Sequence, residues 1–341
     1  MTNILAILFG VLVGLATTVF TLGLLMPFVG TLVRYRATYT PKAGAVHLDG
    51  EDGLAATPRS DSPSYFGMMK RVYRIEGLNG LYKGLMPSII ASLIAMMVFI
   101  PVSLVLASGL TVLPNGRVQL PAEGTLLMWS IGFALSVIPA LLFIPMQIII
   151  DRAITTPHKL AAFDAPAALR ALLSPAERAQ PLRLYLAPGV APALLLEALV
   201  SPAVGLLRYF VAPRLPLAAA LGAALPILLL VTAFVTPLMV LTTRLEIQRR
   251  GPEPPTFEAA LVPEKEEVVD FRSTAAGVAP YTGLVDCARK VVEEEGWGVL
   301  ARAWWVTALL TLVPLLVPMV MPEVPPGAPP PSVFYSAPPS F

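Results

Sequence analysis

A proline and an arginine seven residues apart recur three times, each time at the end of a long apolar run. The copies read MPFVGTLVR, IPMQIIIDR and TPLMVLTTR. Their prolines are Pro27, Pro145 and Pro237, and their arginines are Arg34, Arg152 and Arg244. An internal repeat of this kind determines the architecture, because each copy is one structural unit that packs against its neighbours. We therefore expect three equivalent units.

The charge-free stretches indicate the solvent in which these units fold. The chain is 56% hydrophobic and 13% charged, whereas soluble domains are about 25% charged. A helix crosses a bilayer with about 20 apolar residues, and five charge-free stretches exceed or reach that length: 1–33, 84–116, 124–150, 215–243 and 303–322. A sixth, 184–211, is interrupted by Glu197 and Arg208. Because lipid leaves backbone groups no external partner, we predict an all-α membrane protein with six transmembrane helices.

Basic residues are distributed unevenly between the predicted loops. All but three of the 24 Lys and Arg residues follow the first, third or fifth predicted helix. The exceptions are Arg117, Arg208 and Arg214. Such asymmetry fixes orientation in a membrane and, with six spans, places both ends of the chain on the charge-poor side. No basic run is interleaved with aromatic residues, so we expect a lipid bilayer and no nucleic acid as a partner.

Each repeat combines an odd-numbered span, a polar loop, a short amphipathic helix and an even-numbered span. The predicted repeats are 1–110, 120–213 and 214–322. The second repeat is the degenerate copy, because its loop has lost a Glu-Gly pair that the other two contain. The segment 323–341 is rich in proline and is expected to be a disordered tail.

Two further motifs accompany the proline-arginine element. Repeat 1 contains Glu76-Gly77 followed by Tyr82-Lys83-Gly84, and repeat 3 contains Glu295-Gly296. In this order the motifs resemble those of the mitochondrial carrier family, and the resemblance covers about residues 5–322. It implies a pseudo-threefold carrier barrel of six transmembrane helices in three helix-pair repeats. It also implies a mitochondrial membrane, the inner one by family default, with the outer one as the alternative.

The chain departs from the family at the gate. In transporting carriers, charged residues two and five positions after each proline form ion pairs that close the cavity. Here all six positions are uncharged: Val29, Gln147, Met239, Leu32, Ile150 and Thr242. The first hypothesis is small-solute transport through a mostly apolar cavity with degenerate gates. The second is a non-transporting adaptor, organiser or insertase-like protein of the outer membrane that binds other mitochondrial membrane proteins.

Glu197 is the sharpest candidate site residue. An acid within a span usually faces a cavity or a partner, and the carrier resemblance places a substrate contact at this position. The same count gives Ala91 and Leu310 on the second and sixth helices. A structural hydrogen bond to Arg208 or to a backbone group is the alternative for Glu197.

The repeated arginines and prolines have expected roles of their own. By symmetry, Arg34, Arg152 and Arg244 surround a basic mouth, where they either extend to lipid headgroups or attract an anion. Pro27, Pro145 and Pro237 are expected to kink their helices.

Residue types needed for catalysis are scattered. His47 and His158 lie in separate predicted loops, no Cys/His group has metal-ligand spacing, and no glycine-rich phosphate loop precedes a Lys-Ser/Thr pair. We therefore expect no enzyme, no metal site and no cofactor.

Overall fold

A computed structural model describes residues 2–42, 64–109, 111–112, 118–119, 143–158, 160, 164–186, 190, 192, 217–248, 268–272, 279–310 and 312. These residues are mostly helical. In chain order the helices are α1 (Thr2–Ala37), α2 (Tyr65–Leu81), α3 (Leu85–Gly109), α4 (143–155), α5 (Ala165–Leu172), α6 (Pro175–Ala179), α7 (Leu217–Ile247), α8 (Leu284–Glu294), α9 (Trp297–Leu300) and α10 (304–310). A 3-10 turn, Pro181–Leu184, follows α6, and a two-residue strand pair, Thr111–Val112 with Val118–Gln119, follows α3.

Two of the described helices are long and apolar enough to cross a membrane. They are Phe9–Ala37 within α1 and Leu228–Ile247 within α7. A third crossing results if α2 and the described part of α3, which meet at a bend of 44°, form one span. The described residues therefore support the predicted all-α class, and their apolar helices suggest a membrane association. The barrel of six transmembrane helices stays a prediction. The predicted spans 124–150 and 184–211 lie largely outside the described residues.

The two halves of α1 have different surroundings. Large apolar side chains of its first half, such as Phe9 and Phe20, are exposed, as suits a surface that contacts lipid. Its last turns are buried, including Thr31, Arg34 and Arg36. The buried end of α1 therefore lies where this helix meets the polar loop of repeat 1.

Helix α2 packs against this buried end of α1. It begins at Ser64, whose hydroxyl accepts a hydrogen bond from the Gly67 backbone N–H at 3.0 Å, as an N-cap residue does. Met68 and Val72 then share one face and are fully buried, because residues four apart in a helix lie on the same side. Val269, from the loop of the third repeat, is buried against this face.

Gly84 allows α3 to begin against the neighbouring repeat. Its φ is +90°, and a Cβ at this position would lie 2.6 Å from Ile154 Cγ1 on α4. No larger residue fits both the backbone conformation and this close approach. Glycine is therefore required where repeats 1 and 2 meet.

The segment that follows α1 in repeat 1 is joined to repeat 3 through backbone hydrogen bonds. The Tyr39 N–H donates to the Asp270 carbonyl at 2.8 Å, and the Lys42 N–H donates to the Glu294 carbonyl at 2.9 Å. The segment after α1 is therefore held by residues that lie more than 200 positions later in the chain.

Candidate functional site

Each repeated arginine forms an ion pair with a glutamate of its own repeat. In repeat 1, Arg34 Nη2 lies 2.8 Å from Glu76 Oε2, and Lys83 Nζ lies 2.6 Å from Glu76 Oε1. The Arg34 and Glu76 side chains are almost completely buried. Glu76 is the acid of the Glu-Gly motif, so this motif serves to neutralise the arginine.

Repeat 2 forms the same pair with a residue that the sequence analysis missed. Arg152 Nη1 and Nη2 lie 2.8 and 3.0 Å from Glu177 Oε2 and Oε1, the bidentate geometry that makes arginine-carboxylate pairs strong. Burial tends to raise the pKa of Glu177, but the hydrogen bonds and charge of Arg152 outweigh it and hold the pKa below its usual value. Repeat 2 therefore lacks the Glu-Gly pair but keeps the acid.

The position of Glu177 follows from a local signal. Ser174 and Glu177 form a capping box at the start of α6: the Glu177 N–H donates to Ser174 Oγ at 3.3 Å, and the Ser174 N–H donates to Glu177 Oε2 at 2.9 Å. The sequence Ser-Pro-Ala-Glu fits the capping-box pattern of serine followed three residues later by glutamate. The capping-box sequence is therefore a signal for Glu177, but the spacing between the repeated arginine and its glutamate differs from that in the other repeats.

Repeat 3 contains the third pair. Both terminal nitrogens of Arg244 contact the carboxylate of Glu295, with Nη2 at 3.0 Å from Oε2. The Thr40 N–H also donates to Glu295 Oε2, at 2.8 Å. Arg302 approaches the same carboxylate and donates to the carbonyl oxygen of Thr38. Glu295 therefore joins its own repeat to the segment that follows α1.

These contacts differ from the expectation of a basic mouth. Arg34, Arg152 and Arg244 are only 1%, 2% and 6% exposed, so their side chains do not extend toward headgroups, and their charge is met by internal carboxylates. The physical reason is that a buried cation is tolerated only when it is paired and hydrogen-bonded. The partner acids lie 25 to 51 positions further along the chain.

The arginines also link neighbouring repeats. Arg152 Nε donates to the Glu246 carbonyl at 2.9 Å, and Arg244 Nε donates to the Arg36 carbonyl at 3.1 Å. Glu246 and Arg36 occupy equivalent positions, nine residues after Pro237 and Pro27. Repeat 2 therefore contacts repeat 3 in the way that repeat 3 contacts repeat 1.

A second set of equivalent contacts completes a cycle. Arg152 Nη2 donates to the Gln248 carbonyl at 3.1 Å, and Arg244 Nη2 donates to the Thr38 carbonyl at 3.0 Å. Between repeats 1 and 2, Lys83 Nζ donates to the equivalent carbonyl, that of Thr156, at 3.3 Å. The contacts thus run from repeat 1 to 2, from 2 to 3 and from 3 back to 1. We refer to them, with the three ion pairs, as the basic-end cycle.

Some of the six uncharged gate positions contact ionisable residues further along the helices. Gln147 Nε2 donates to Asp151 Oδ1 at 2.9 Å. Met239 Sδ accepts a hydrogen bond from Arg36 Nη1 at 3.5 Å. Charged groups are therefore present close to the expected gate, about one helical turn beyond the positions at which the family pattern has them.

Two of the three predicted substrate contacts lie on described helices. Ala91 is buried on α3, Leu310 is 47% exposed on α10, and Glu197 lies outside the described ranges. A shared cavity stays a prediction.

The three prolines lie inside helices. Pro27 lies in α1, Pro237 in α7 and Pro145 in α4. Thr31 Oγ1 donates to the Pro27 carbonyl at 2.7 Å. A kink at each proline also stays a prediction.

Within the part of the chain that the structure describes, no group of three or more His, Cys, Asp and Glu residues could hold a metal ion. No protein-family model matches the chain. No curated protein matches it significantly.

Proposed function

We propose that this chain is a carrier-type protein of a mitochondrial membrane that passes a small solute through a mostly apolar central cavity. The observation that carries the proposal is the basic-end cycle. Basic side chains of the three repeats donate in a closed order to the equivalent backbone carbonyls of Thr156, Gln248 and Thr38, as a barrel of three helix pairs around one axis requires. Its repeats are 1–110, 120–213 and 214–322, with two spans each.

The basic-end cycle also suggests which contacts change during transport. Alternating access needs two states that interconvert, each stabilised by its own contacts. The ion pairs of Arg152 and Arg244 lie within one repeat, so they persist when repeats separate. The arginine-to-carbonyl hydrogen bonds lie between repeats. Opening the basic end therefore breaks these hydrogen bonds to neutral carbonyl acceptors and leaves each buried arginine paired with its glutamate.

Glu197 is proposed as the solute contact in this cavity. An acid among alanine and leucine residues suits a cationic or weakly polar solute better than an anionic one. Purified full-length protein in liposomes should exchange at least one solute of a broad metabolite panel, and Glu197→Gln should abolish this exchange. Asp286→Asn, which alters an acid on the exposed side of α8, is the matched control and should exchange normally. If no panel member moves, the transport proposal is wrong.

A non-transporting adaptor, organiser or insertase-like protein of the outer membrane is the second candidate. It is favoured by the absence of charge at all six gate positions. In that case partner proteins should be recovered with the full chain and lost when the loop 251–277 or the tail 323–341 is deleted. Protease access to this loop in intact and in ruptured mitochondria distinguishes the outer from the inner membrane.

A further inference from the structure

Aromatic side chains of repeats 1 and 3 form a patch at the surface of the molecule. The ring of Trp305, at the start of α10, lies 5.4 Å from the ring of Tyr65, edge to face, and 6.0 Å from the ring of Phe66, nearly parallel to it. Phe66 is 62% exposed and Trp305 is 37% exposed. We refer to Tyr65, Phe66 and Trp305 as the aromatic patch.

A hydrogen bond sets the level of the aromatic patch along α1. The Tyr65 hydroxyl donates to the carbonyl oxygen of Phe28 at 2.9 Å. Among residues 9–37 of α1, whose burial the structure describes, the exposed large apolar side chains end at Val29, and residues 30–34 are buried. The aromatic patch is therefore level with the point at which α1 ceases to be exposed.

Helix α1 is longer than a bilayer is thick. Its 36 residues extend about 54 Å at a rise of about 1.5 Å per residue, whereas the hydrocarbon of a bilayer is about 30 Å thick. Part of α1 therefore lies outside the hydrocarbon. The last turns of α1 carry Arg34 and Arg36, which are buried against protein. Because charges are costly within hydrocarbon, this end of α1 is the one that extends beyond it.

The side chains around the aromatic patch suit the boundary between hydrocarbon and headgroups. Tyr and Trp are enriched at this level of a membrane, because each has an apolar ring and a polar O–H or N–H. Lys70 is exposed four residues after Phe66, on the same face of α2, where its ammonium can reach headgroups. Further along α10, the exposed Leu309 and Leu310 continue the patch into a surface that suits lipid tails.

We propose that the aromatic patch contacts the glycerol and headgroup layer of a lipid bilayer and sets the depth of the protein in the membrane. Hydrocarbon then covers α1 from about residue 9 to Phe28. Arg34 follows Phe28 by six residues and lies about 9 Å beyond the hydrocarbon. Protein, and not lipid tails, therefore shields the basic-end cycle from water. This depth does not depend on whether the chain transports a solute.

Quenching of tryptophan fluorescence by brominated lipids measures this depth. The full-length protein is placed in phosphatidylcholine nanodiscs whose acyl chains carry bromine either near the glycerol end or near the methyl end. A variant with Trp129→Phe, Trp297→Phe and Trp304→Phe keeps Trp305 as its tryptophan. Bromine near the glycerol end should quench the emission of this variant more strongly than bromine near the methyl end.

Phe20→Trp, introduced into that variant together with Trp305→Phe, is the matched control. Phe20 is an exposed aromatic residue of α1 and lies about 12 Å from Phe28 along the helix, close to the bilayer midplane. Bromine near the methyl end should quench the emission of the control more strongly. The same order of quenching in both variants, or deeper quenching of Trp305, would overturn the proposal.

Photolabelling of the native protein requires no substitution. A phosphatidylcholine with a diazirine near its glycerol end should label the peptides that contain Phe66 and Trp305, as identified by mass spectrometry. A diazirine at the methyl end should instead label the peptide that contains Phe20. If neither lipid labels Phe66 or Trp305, the proposal is wrong. A cross-link between the Lys70 residues of two copies would then show that a second copy of the chain covers the aromatic patch.

Discussion

Glu177→Ala is the substitution that most directly tests the unexpected ion pair of repeat 2. It removes both carboxylate oxygens from the Arg152 guanidinium, which is buried, and leaves that charge without a counterion. Breaking a buried pair by removing one partner typically costs 3–5 kcal/mol. The capping box of α6 is lost at the same time, which adds about 1 kcal/mol.

The remaining hydrogen bonds of Arg152 reduce this loss of stability. Arg152 keeps the carbonyl oxygens of Leu172, Glu246 and Gln248 as acceptors, so the lower end of that range applies, and we expect a loss of about 4 kcal/mol including the cap. For a chain of 341 residues, this corresponds to a decrease of roughly 6 °C in the unfolding midpoint.

The assay is thermal unfolding of the purified protein in detergent, followed by tryptophan fluorescence. Glu293→Ala is the matched control, because Glu293 pairs with Arg289 on the exposed side of α8 and should leave the midpoint unchanged. Replacing both Arg152 and Glu177 by leucine should destabilise less than Glu177→Ala alone, since no unpaired charge remains. Equal midpoints for Glu177→Ala and the control would refute the reasoning.

Three further predictions follow from the other repeat contacts. Gly84→Ala should lower the unfolding midpoint, because it places a Cβ against Ile154 at a positive φ; an unchanged midpoint would contradict this. Burial raises the pKa of Cys287 to about 12, so a thiol-reactive dye should label native protein slowly and heat-unfolded protein at once. The hydrogen bonds of Arg272 hold the pKa of Glu294 below its usual value, so this stabilisation is present above about pH 4.3 and is lost on acidification. Glu294→Gln should therefore make the unfolding midpoint less dependent on pH in this acid range, and an unaltered pH profile would count against the pair.

Local patterns predicted the helices well. The charge-free runs around Pro27 and Pro237 correspond to α1 and α7, because a long apolar run in lipid leaves the backbone no alternative to the helix. The short amphipathic helix that was expected in repeat 1 corresponds to α2.

Pairings between distant positions could not be predicted in the same way. The repeated motif indicated Arg152 but not Glu177, because repeat 2 lacks the Glu-Gly pair that marks the acid in the other repeats.

The closure of repeat 3 onto repeat 1 affects the order in which the protein matures during synthesis. The carboxylate that receives Arg244 and Thr40 belongs to Glu295, and Arg302 caps the carbonyl of Thr38. The ribosome makes Glu295 51 positions after Arg244, so the emerging chain contains an unneutralised Arg244 until residue 295 has appeared. A nascent chain that stops before Glu295 therefore keeps the Arg244 guanidinium without its carboxylate partner.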